Sequence, residues 1–399
     1  MFNYFNLHKT YQYLLISLAF LMPLTVFGAN VIVVFICILW MFSGNYKSKF
    51  HQITNNNLLM ASIIFYALHL VGLLWTEDFS WGIHILHKMW YFLLFFPILY
   101  SITKRKYIKY YISSFLLAIS LSEIASYLVW FEIVEPFKQA TVYNPTPFMS
   151  HIQYNPILAF AIYLVLHEIF FNNKLKKLEL SLYSFFAVSM SFNMFITGGR
   201  AGHVMFFSMI AILIFQYFYS QKIKAIVVIF IVSGGLFFTA YQSSTIFNDR
   251  VNETVKSIKY YDSNKNTSLG IRIAMTQNSW EIILKNPIIG VGTGDFPSSY
   301  EKVNQKNTPM LPNSRNPHNM YILVLVQLGI VGLISFFSIF YFQIKQSFLS
   351  KDKFIRDVGM TLPLLFLIIM WSDTYLLGHF TSLMYIFFSS FIYKDFTKN

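Results

Sequence analysis

Apolar stretches of roughly 20 residues alternate with short polar connections along most of the chain. A helix needs about 20 mainly apolar residues to cross the hydrocarbon core of a bilayer. The pattern therefore predicts an all-α integral membrane protein with about twelve transmembrane helices. No small-residue cleavage site follows the first stretch, so we expect an uncleaved span there rather than a signal peptide. The predicted spans are 11–27, 30–42, 58–75, 81–100, 110–130, 156–171, 180–196, 201–220, 223–241, 319–344, 358–371 and 379–393.

Lysine and arginine are concentrated in alternate connections between the predicted spans. If the spans are counted correctly, these connections and both chain ends share one side of the membrane. The short connections on the other side carry mainly acidic residues, such as Glu77, Asp78 and Asp373. Cytoplasmic loops carry an excess of Lys and Arg, so we predict that the basic side and both termini are cytoplasmic. The basic connections include residues 47–49, 104–109, 174–177, 222–224 and 345–356.

One connection, residues 242–317, is long and polar and lies on the predicted outer side. Loops of this length are uncommon and usually functional. The spacing of apolar residues predicts a helix over Ser268–Lys285, with Ser268 as its N-cap. The glycine run 290–294 lacks the preceding strand and the lysine of a phosphate-binding loop, so we interpret it as a turn. The predicted organisation is nine transmembrane helices in residues 1–241, the large loop 242–317, and three further helices in 318–399.

Composition supports the membrane assignment and excludes other classes. Of the 399 residues, 56% are hydrophobic and 12% are charged, whereas soluble domains carry about 25% charged residues. The net charge of +13 comes from basic residues in membrane-flanking loops, so we expect no nucleic-acid partner. Cys37 is the single cysteine, which excludes an intrachain disulfide and a cysteine-based metal site. We find no sequence motif with metal-ligand spacing and expect no metal.

Three basic residues on the predicted outer side are candidates for binding and catalysis. Arg200 follows a glycine turn where a helix begins, and an arginine at a helix N-terminus suits phosphate oxygens. Arg272 lies near the start of the loop helix, where a basic residue is unfavourable unless an anion is nearby. His318 lies at the mouth of the tenth span, where it can accept a proton near neutral pH. The alternatives are a snorkelling arginine, a solvated arginine and a hydrogen-bonded interfacial histidine.

Three segments resemble the O-antigen ligase and polymerase superfamily, most of all the lipopolysaccharide O-antigen ligase. Residues 286–296 read NPIIGVGTGDF and resemble the family stretch NPxxGxGxGxF. Residues 316–321, running into the glycines of 327–333, resemble the signature HNxYL…GxxG. Residues 197–202 resemble the turn S/T-x-S/G-R-x-G. The motifs lie between residues 197 and 333, and the N-terminal half is similar to the family only in hydropathy.

The resemblance implies a metal-independent, inverting glycosyltransferase of the GT-C type that needs no cofactor. Its donor would be a glycan linked to undecaprenyl diphosphate, presented at the periplasmic face of the bacterial inner membrane. Its acceptor would be a sugar hydroxyl of lipid A–core. Arg200 and Arg272 would stabilise the leaving diphosphate, and His318 would take the acceptor proton or orient the acceptor or the diphosphate. The substrate-binding residues predicted beside these catalytic ones are Arg315, Asn319, His151 and Tyr154.

Other functions stay open at this point. An O-antigen or capsule polymerase would use the same donor and similar residues, but a growing glycan as acceptor. A glycan transferase acting on a protein would often carry additional periplasmic regions, and none is obvious here. A flippase or exporter of lipid-linked glycans should show a central polar path and often internal symmetry. The polar chemistry of this sequence is instead concentrated on one side, which disfavours a flippase. The signature around His318 and the single large outer loop favour the ligase.

Overall fold

The computed structural model describes residues 4–396 and is helical throughout this range, apart from loops and an isolated bridge between Thr141 and Asn144. Seventeen α-helices are present in the described part of the chain. The first nine are α1 Tyr4–Leu21, α2 Val26–Phe42, α3 Tyr46–Thr54, α4 Asn57–Val71, α5 Phe79–Trp90, α6 Phe96–Ile102, α7 Ile108–Trp130, α8 His151–Phe171 and α9 Lys177–Phe195. The others are α10 Arg200–Tyr217, α11 Lys222–Ser243, α12 Thr245–Lys259, α13 Ser268–Lys285, α14 Phe296–Asn307, α15 Met320–Leu349, α16 Lys353–Ile369 and α17 His379–Ile392.

Seven of the helical segments described in residues 4–396 are long and apolar enough to cross a membrane. An eighth is possible if α2 and α3, which meet at a bend of 116°, form one span. Helices also lie at the other predicted spans, but α1, α2, α9, α16 and α17 are shorter or more polar. The membrane assignment is therefore confirmed, whereas the count of about twelve spans is not. The seven segments are Asn57–Trp75, Phe79–Ile102, Arg105–Trp130, His151–Phe171, Arg200–Tyr217, Lys222–Ser243 and Met320–Leu349.

The outer surface of the helix bundle is apolar. In α11 only 11% of the most apolar window is buried, and Phe230 and Ile231 are 76% and 68% exposed. Such a surface would be unfavourable in water but matches lipid, where apolar side chains face the solvent. The exposed faces are therefore the expected contact with the bilayer.

Connections predicted on the basic side meet at one end of the molecule. The Lys394 ammonium donates to the carbonyl oxygens of Tyr100 and Thr103, at 2.5 and 2.9 Å. Arg105 pairs with Asp352 at 3.0 Å. These contacts bring together two connections and the C-terminal end of the chain, which the alternating charge pattern predicts on one side.

The large loop folds into three helices, α12, α13 and α14. The predicted helix over Ser268–Lys285 is confirmed with the same bounds. Its N-cap is Thr267 rather than Ser268, because the Thr267 hydroxyl accepts a hydrogen bond from the Gly270 N–H at 3.0 Å. The helices on either side of α13 were not predicted from the sequence pattern.

A glycine-rich segment joins the large loop to the membrane helices. Residues 287–295 insert against a break in α15, where Gly329 leaves the helical conformation. We call this contact the glycine-rich dock. The Val291 N–H donates to the Val326 carbonyl at 2.8 Å, and the Ile330 N–H donates to the Pro287 carbonyl at 2.9 Å. The break in the helix thus exchanges its backbone hydrogen bonds for bonds with the loop.

Two glycines make this close approach possible. Gly290 and Gly329 have φ angles of 69° and 60°, which disfavour other L-residues. A Cβ on Gly290 would lie 2.4 Å from the Gln327 backbone, and a Cβ on Gly329 would lie 2.3 Å from the Ile288 backbone. The glycine run 290–294 is therefore a packed turn, as predicted, and not a phosphate loop.

Candidate functional site

The turn that carries Arg200 is held between two asparagines. The Thr197 hydroxyl donates to the Asn155 side-chain oxygen at 2.9 Å, and the Gly198 N–H donates to the Asn144 side-chain oxygen at 2.9 Å. Glycine at 199 lets the turn pack closely, since a Cβ there would lie 2.5 Å from the Asn155 amide nitrogen and would displace that side chain. The turn therefore fixes the start of α10, with Arg200 as its first residue.

Two helix N-termini meet at Arg200. Its guanidinium donates to the Ser268 hydroxyl at 3.0 Å and to the Thr254 hydroxyl at 3.4 Å. Ser268 is the first residue of α13, as Arg200 is the first of α10. Each N-terminus carries a partial positive charge and free N–H groups. Their convergence with a guanidinium is an arrangement suited to an anion.

The positive charge at this point is shared by three partly buried arginines. Arg250 and Arg272 are both charged neighbours of Arg200, and Glu253 is the acidic one. The Glu253 carboxylate already pairs with Arg250 at 2.8 Å. Like charges held together disfavour one another unless an anion relieves them. Arg250 was not singled out from the sequence, because the helix that presents it, α12, was not predicted.

His318 lies in a strained turn before α15. Its φ angle is 51°, in the left-handed region that residues with a Cβ rarely adopt. The Asn316 side-chain oxygen accepts from the His318 N–H at 2.9 Å, and the Asn316 amide donates to the Thr374 hydroxyl at 2.8 Å. Strain of this kind is concentrated at functional sites, where the surroundings impose it.

The His318 imidazole faces a carboxylate from the loop between α16 and α17. Its Nδ1 lies 3.3 Å from Asp373 Oδ1, and the two side chains are 35% and 18% exposed. Burial acts to raise the pKa of Asp373, but the His318 imidazole, the Thr374 N–H and the Arg272 charge together hold the pKa below its ordinary value. Arg272 is thus a charged neighbour of both Arg200 and Asp373. The charge of Arg272 therefore links Arg200 with the His318–Asp373 pair, and the catalytic roles of the three residues stay predictions.

Asp373 is a member of this site that sequence reasoning missed as a candidate. It was noted only as an acidic residue in a short outer connection. Asp373 lies in the short loop before the last helix, on the same predicted side as His318. This position was the one signal in the sequence that could have made Asp373 a candidate site residue. The pairing itself depends on the turn at His318, which spacing along the chain does not reveal.

Comparison with known proteins gives the family. Residues 185–337 match the family described as O-antigen ligase, and this range includes Arg200, Arg272 and His318. Over these residues the chain is similar to the O-antigen ligase family. The resemblance predicted from the three motifs is confirmed. An uncharacterized protein of Haemophilus influenzae is 28% identical over 309 residues, which cover 72% of each chain. That similarity extends over a longer stretch than the O-antigen ligase match.

The predicted substrate-binding residues have different positions around this site. The Arg315 guanidinium lies over the Trp81 ring, 5.1 Å from its centroid. His151 is the first residue of α8 and has Arg250 as a charged neighbour. Asn319 is buried as the N-cap of α15, where its side-chain oxygen accepts from two backbone N–H groups.

Tyr154 is the predicted binding residue that lies deepest. It is 1% exposed, and its hydroxyl donates to the Asn193 side-chain oxygen at 2.9 Å. Asn319 and Tyr154 are therefore placed to support the helices around the site, and we leave both out of the proposed substrate contacts. Arg315 and His151 stay predictions.

Proposed function

We propose that the protein is an inverting glycosyltransferase of the O-antigen ligase type. It moves a glycan from undecaprenyl diphosphate to a sugar hydroxyl of lipid A–core, at the periplasmic face of the bacterial inner membrane. The observation that carries this proposal is the grouping of three partly buried arginines with a histidine–carboxylate pair at one end of the molecule. The family match over residues 185–337 supports it.

In this proposal the arginines bind the diphosphate of the donor. A guanidinium offers several N–H donors in a plane, which match phosphate oxygens better than an ammonium does. Arg200 and Arg272 neutralise the charge that grows on the departing oxygen, assisted by the N-termini of α10 and α13. Removing one such donor typically costs about 2.7–4 kcal/mol of transition-state stabilisation. The apolar outer faces of the bundle accommodate the polyprenyl tail, so the donor enters from the lipid.

The transfer is a single displacement. The acceptor hydroxyl oxygen attacks the anomeric carbon from the face opposite the diphosphate, so a C–O bond forms as the bond from that carbon to the phosphate oxygen breaks. The bonding electrons leave with undecaprenyl diphosphate, and the acceptor proton passes to His318 Nε2. The Asp373 carboxylate beside Nδ1 stabilises the resulting imidazolium. Because attack and departure occur on opposite faces, the configuration of the anomeric carbon inverts.

Reconstitution tests this function and separates the ligase from a polymerase. The purified protein is placed in lipid vesicles with an undecaprenyl-diphosphate-linked glycan and two competing acceptors, lipid A–core and the free repeat unit. We expect the glycan on lipid A–core. Products extended on the repeat unit would instead identify a polymerase. Translocation of the donor with no transfer to either acceptor would identify a flippase and refute the enzyme.

Metal independence is tested in the same assay. EDTA should leave the transfer rate unchanged, because the arginines supply the positive charge that a metal ion would otherwise provide. Inhibition by EDTA that a divalent cation reverses would refute this part of the proposal.

A further inference from the structure

A pocket opens beside Arg200, between α12 and α13. Its volume is about 400 Å³, within the range of pockets that hold small ligands. Arg200 and Ser268 line it on the side of the arginines. Ser257 lines it from α12, and Tyr260 lines it from the C-cap of that helix. We call it the α12–α13 pocket.

The lining of this pocket suits a ligand that carries many hydroxyl groups. All eight lining residues bear a polar side chain, including hydroxyls, an amide, a carboxylate and an ammonium. Hydroxyls can both donate and accept, the Glu253 carboxylate accepts, and the Lys256 ammonium donates. Tyr260 adds a ring that can lie against the apolar face of a sugar, as aromatic rings do with other apolar surfaces. Much of the lining surface is carbon of these same side chains, and a sugar presents C–H faces as well as hydroxyl groups.

Charge argues for a neutral sugar rather than a second phosphate in the pocket. Glu253 is the acidic residue of the lining, and its carboxylate would repel an anion placed against it. The uncompensated positive charge lies at one side, where Arg200 adjoins Arg272. The pocket therefore adjoins the arginine cluster, but its lining consists mainly of hydroxyl, amide and aromatic groups rather than of guanidinium groups.

Connectivity of the donor decides which sugar fits. The sugar bonded to the diphosphate is separated from phosphorus by a single oxygen, so a diphosphate held by Arg200 brings that sugar next to the pocket. The acceptor hydroxyl must instead approach His318, which is not among the residues that line the pocket. We propose that the α12–α13 pocket binds the first sugar of the donor glycan. This inference rests on the proposed function. It assigns recognition of the first donor sugar to α12 and the residues that line the pocket beside it.

Two substitutions, one in α12 and one at its C-cap, test this inference on the whole protein in lipid vesicles. Ser257→Phe fills the pocket with a ring, and Tyr260→Ala removes the aromatic wall. Val255→Phe is the matched control, because Val255 lies on the same helix, is 57% exposed and does not line the pocket. The probes are the lipid-linked glycan that the wild-type protein transfers, and undecaprenyl diphosphate without a sugar as a competitive inhibitor.

We expect both pocket variants to raise the KM for the lipid-linked glycan, by about tenfold for Tyr260→Ala and more for Ser257→Phe. The inhibition constant of sugar-free undecaprenyl diphosphate should stay within about twofold of wild type, which also reports that the variants are folded. The acceptor KM at saturating donor should not change. Val255→Phe should behave as wild type throughout.

Three results would overturn the pocket assignment. These are a wild-type donor KM in both variants, an equal weakening of sugar-free undecaprenyl diphosphate, or a rise in the acceptor KM in place of the donor KM. A wild-type protein that transfers no glycan would instead refute the proposed function itself, so the two failures are distinguishable.

Discussion

The glycine-rich dock and the arginine–histidine cluster are recognisable in the sequence to a similar degree, but they present different atoms. In the dock, backbone N–H and carbonyl groups bond to one another across the break at Gly329. The charged residue of the dock is also bonded within the protein, because the Asp295 carboxylate accepts from the N–H groups of Glu77 and Asp78. In the cluster, guanidinium charge exceeds the acidic charge around it. A motif whose hydrogen-bonding groups all pair within the protein serves packing. A motif whose positive charge is not compensated by acidic residues is available for an anionic ligand.

The two regions are nevertheless linked. The dock begins directly after α13, the helix that carries Arg272. Its hydrogen bonds to α15 therefore anchor α13 to the membrane helices. We therefore expect changes in the dock to act on the amount of folded protein. Changes in the cluster should act on the chemistry of each folded molecule.

The largest effect is expected for the arginines. Arg272→Ala and Arg200→Ala should each lower transfer by about 100- to 1000-fold or more, since each removes charge that stabilises the leaving diphosphate. Protein recovered from the membrane should stay at the wild-type level. Lys285→Ala is the matched control, because it removes a basic side chain from the same helix at a position 63% exposed. Wild-type transfer by either arginine variant would exclude that residue from diphosphate binding.

The next largest effect is expected for His318→Ala. Loss of a general base typically slows the chemical step by about 100- to 10,000-fold. We expect kcat to fall while the binding of undecaprenyl diphosphate, measured directly, stays close to wild type. A normal kcat would remove His318 from the mechanism. A loss of diphosphate binding with little change in kcat would instead assign it to the donor site.

A smaller effect is expected for Asp373→Asn. It keeps the shape of the side chain but removes the charge beside His318, so kcat should fall at least about tenfold. Because the folded pKa is lowered from 3.8, the carboxylate stabilises the fold above that ordinary value, and this contribution is lost as the pH falls through the lowered folded pKa. Thermal unfolding against pH should therefore show the wild type losing its advantage over Asp373→Asn only in that acid range. An advantage that disappears near neutral pH would contradict the assignment.

The smallest effect on chemistry is expected for Gly290→Ala. A Cβ at a φ of 69°, 2.4 Å from the Gln327 backbone, should cost about 1–3 kcal/mol or more of stability. The amount of folded protein should fall, while the kcat of the folded fraction stays within about threefold of wild type. Gly234→Ala is the control, since a Cβ there has open space around it. A kcat that collapses in fully folded Gly290→Ala would place the dock in the chemistry.

Sequence reasoning succeeded where the information is local. The helix over Ser268–Lys285 was predicted with correct bounds because helical spacing and a following Asn-Pro stop define it. The turn before Arg200 was found because two glycines precede a helix start. The N-cap was placed one residue too late, because Thr267 and Ser268 are equally suitable caps and only the hydrogen bond decides between them.

The sequence could not show what depends on distant contacts. The pairing of His318 with Asp373 requires Asn316 to hold the turn against the α16–α17 loop. The place of Arg250 depends on α12 packing beside the turn at Gly198, where its guanidinium would lie 3.1 Å from an added Cβ. The number of spans also stayed uncertain, because α16 and α17 are apolar but have only 17 and 14 residues. Each of these features depends on tertiary contacts and cannot be inferred from a short segment of the sequence.

The central claim is that the arginine cluster, and not the glycine-rich dock, holds the donor diphosphate. The most direct test is the dissociation constant of undecaprenyl diphosphate, measured on purified, folded wild-type protein and on the Arg200→Ala, Arg272→Ala and Gly290→Ala variants. We predict that each arginine variant binds at least about tenfold more weakly and that folded Gly290→Ala binds as the wild type does. Unchanged binding in both arginine variants together with weakened binding in Gly290→Ala would contradict the account.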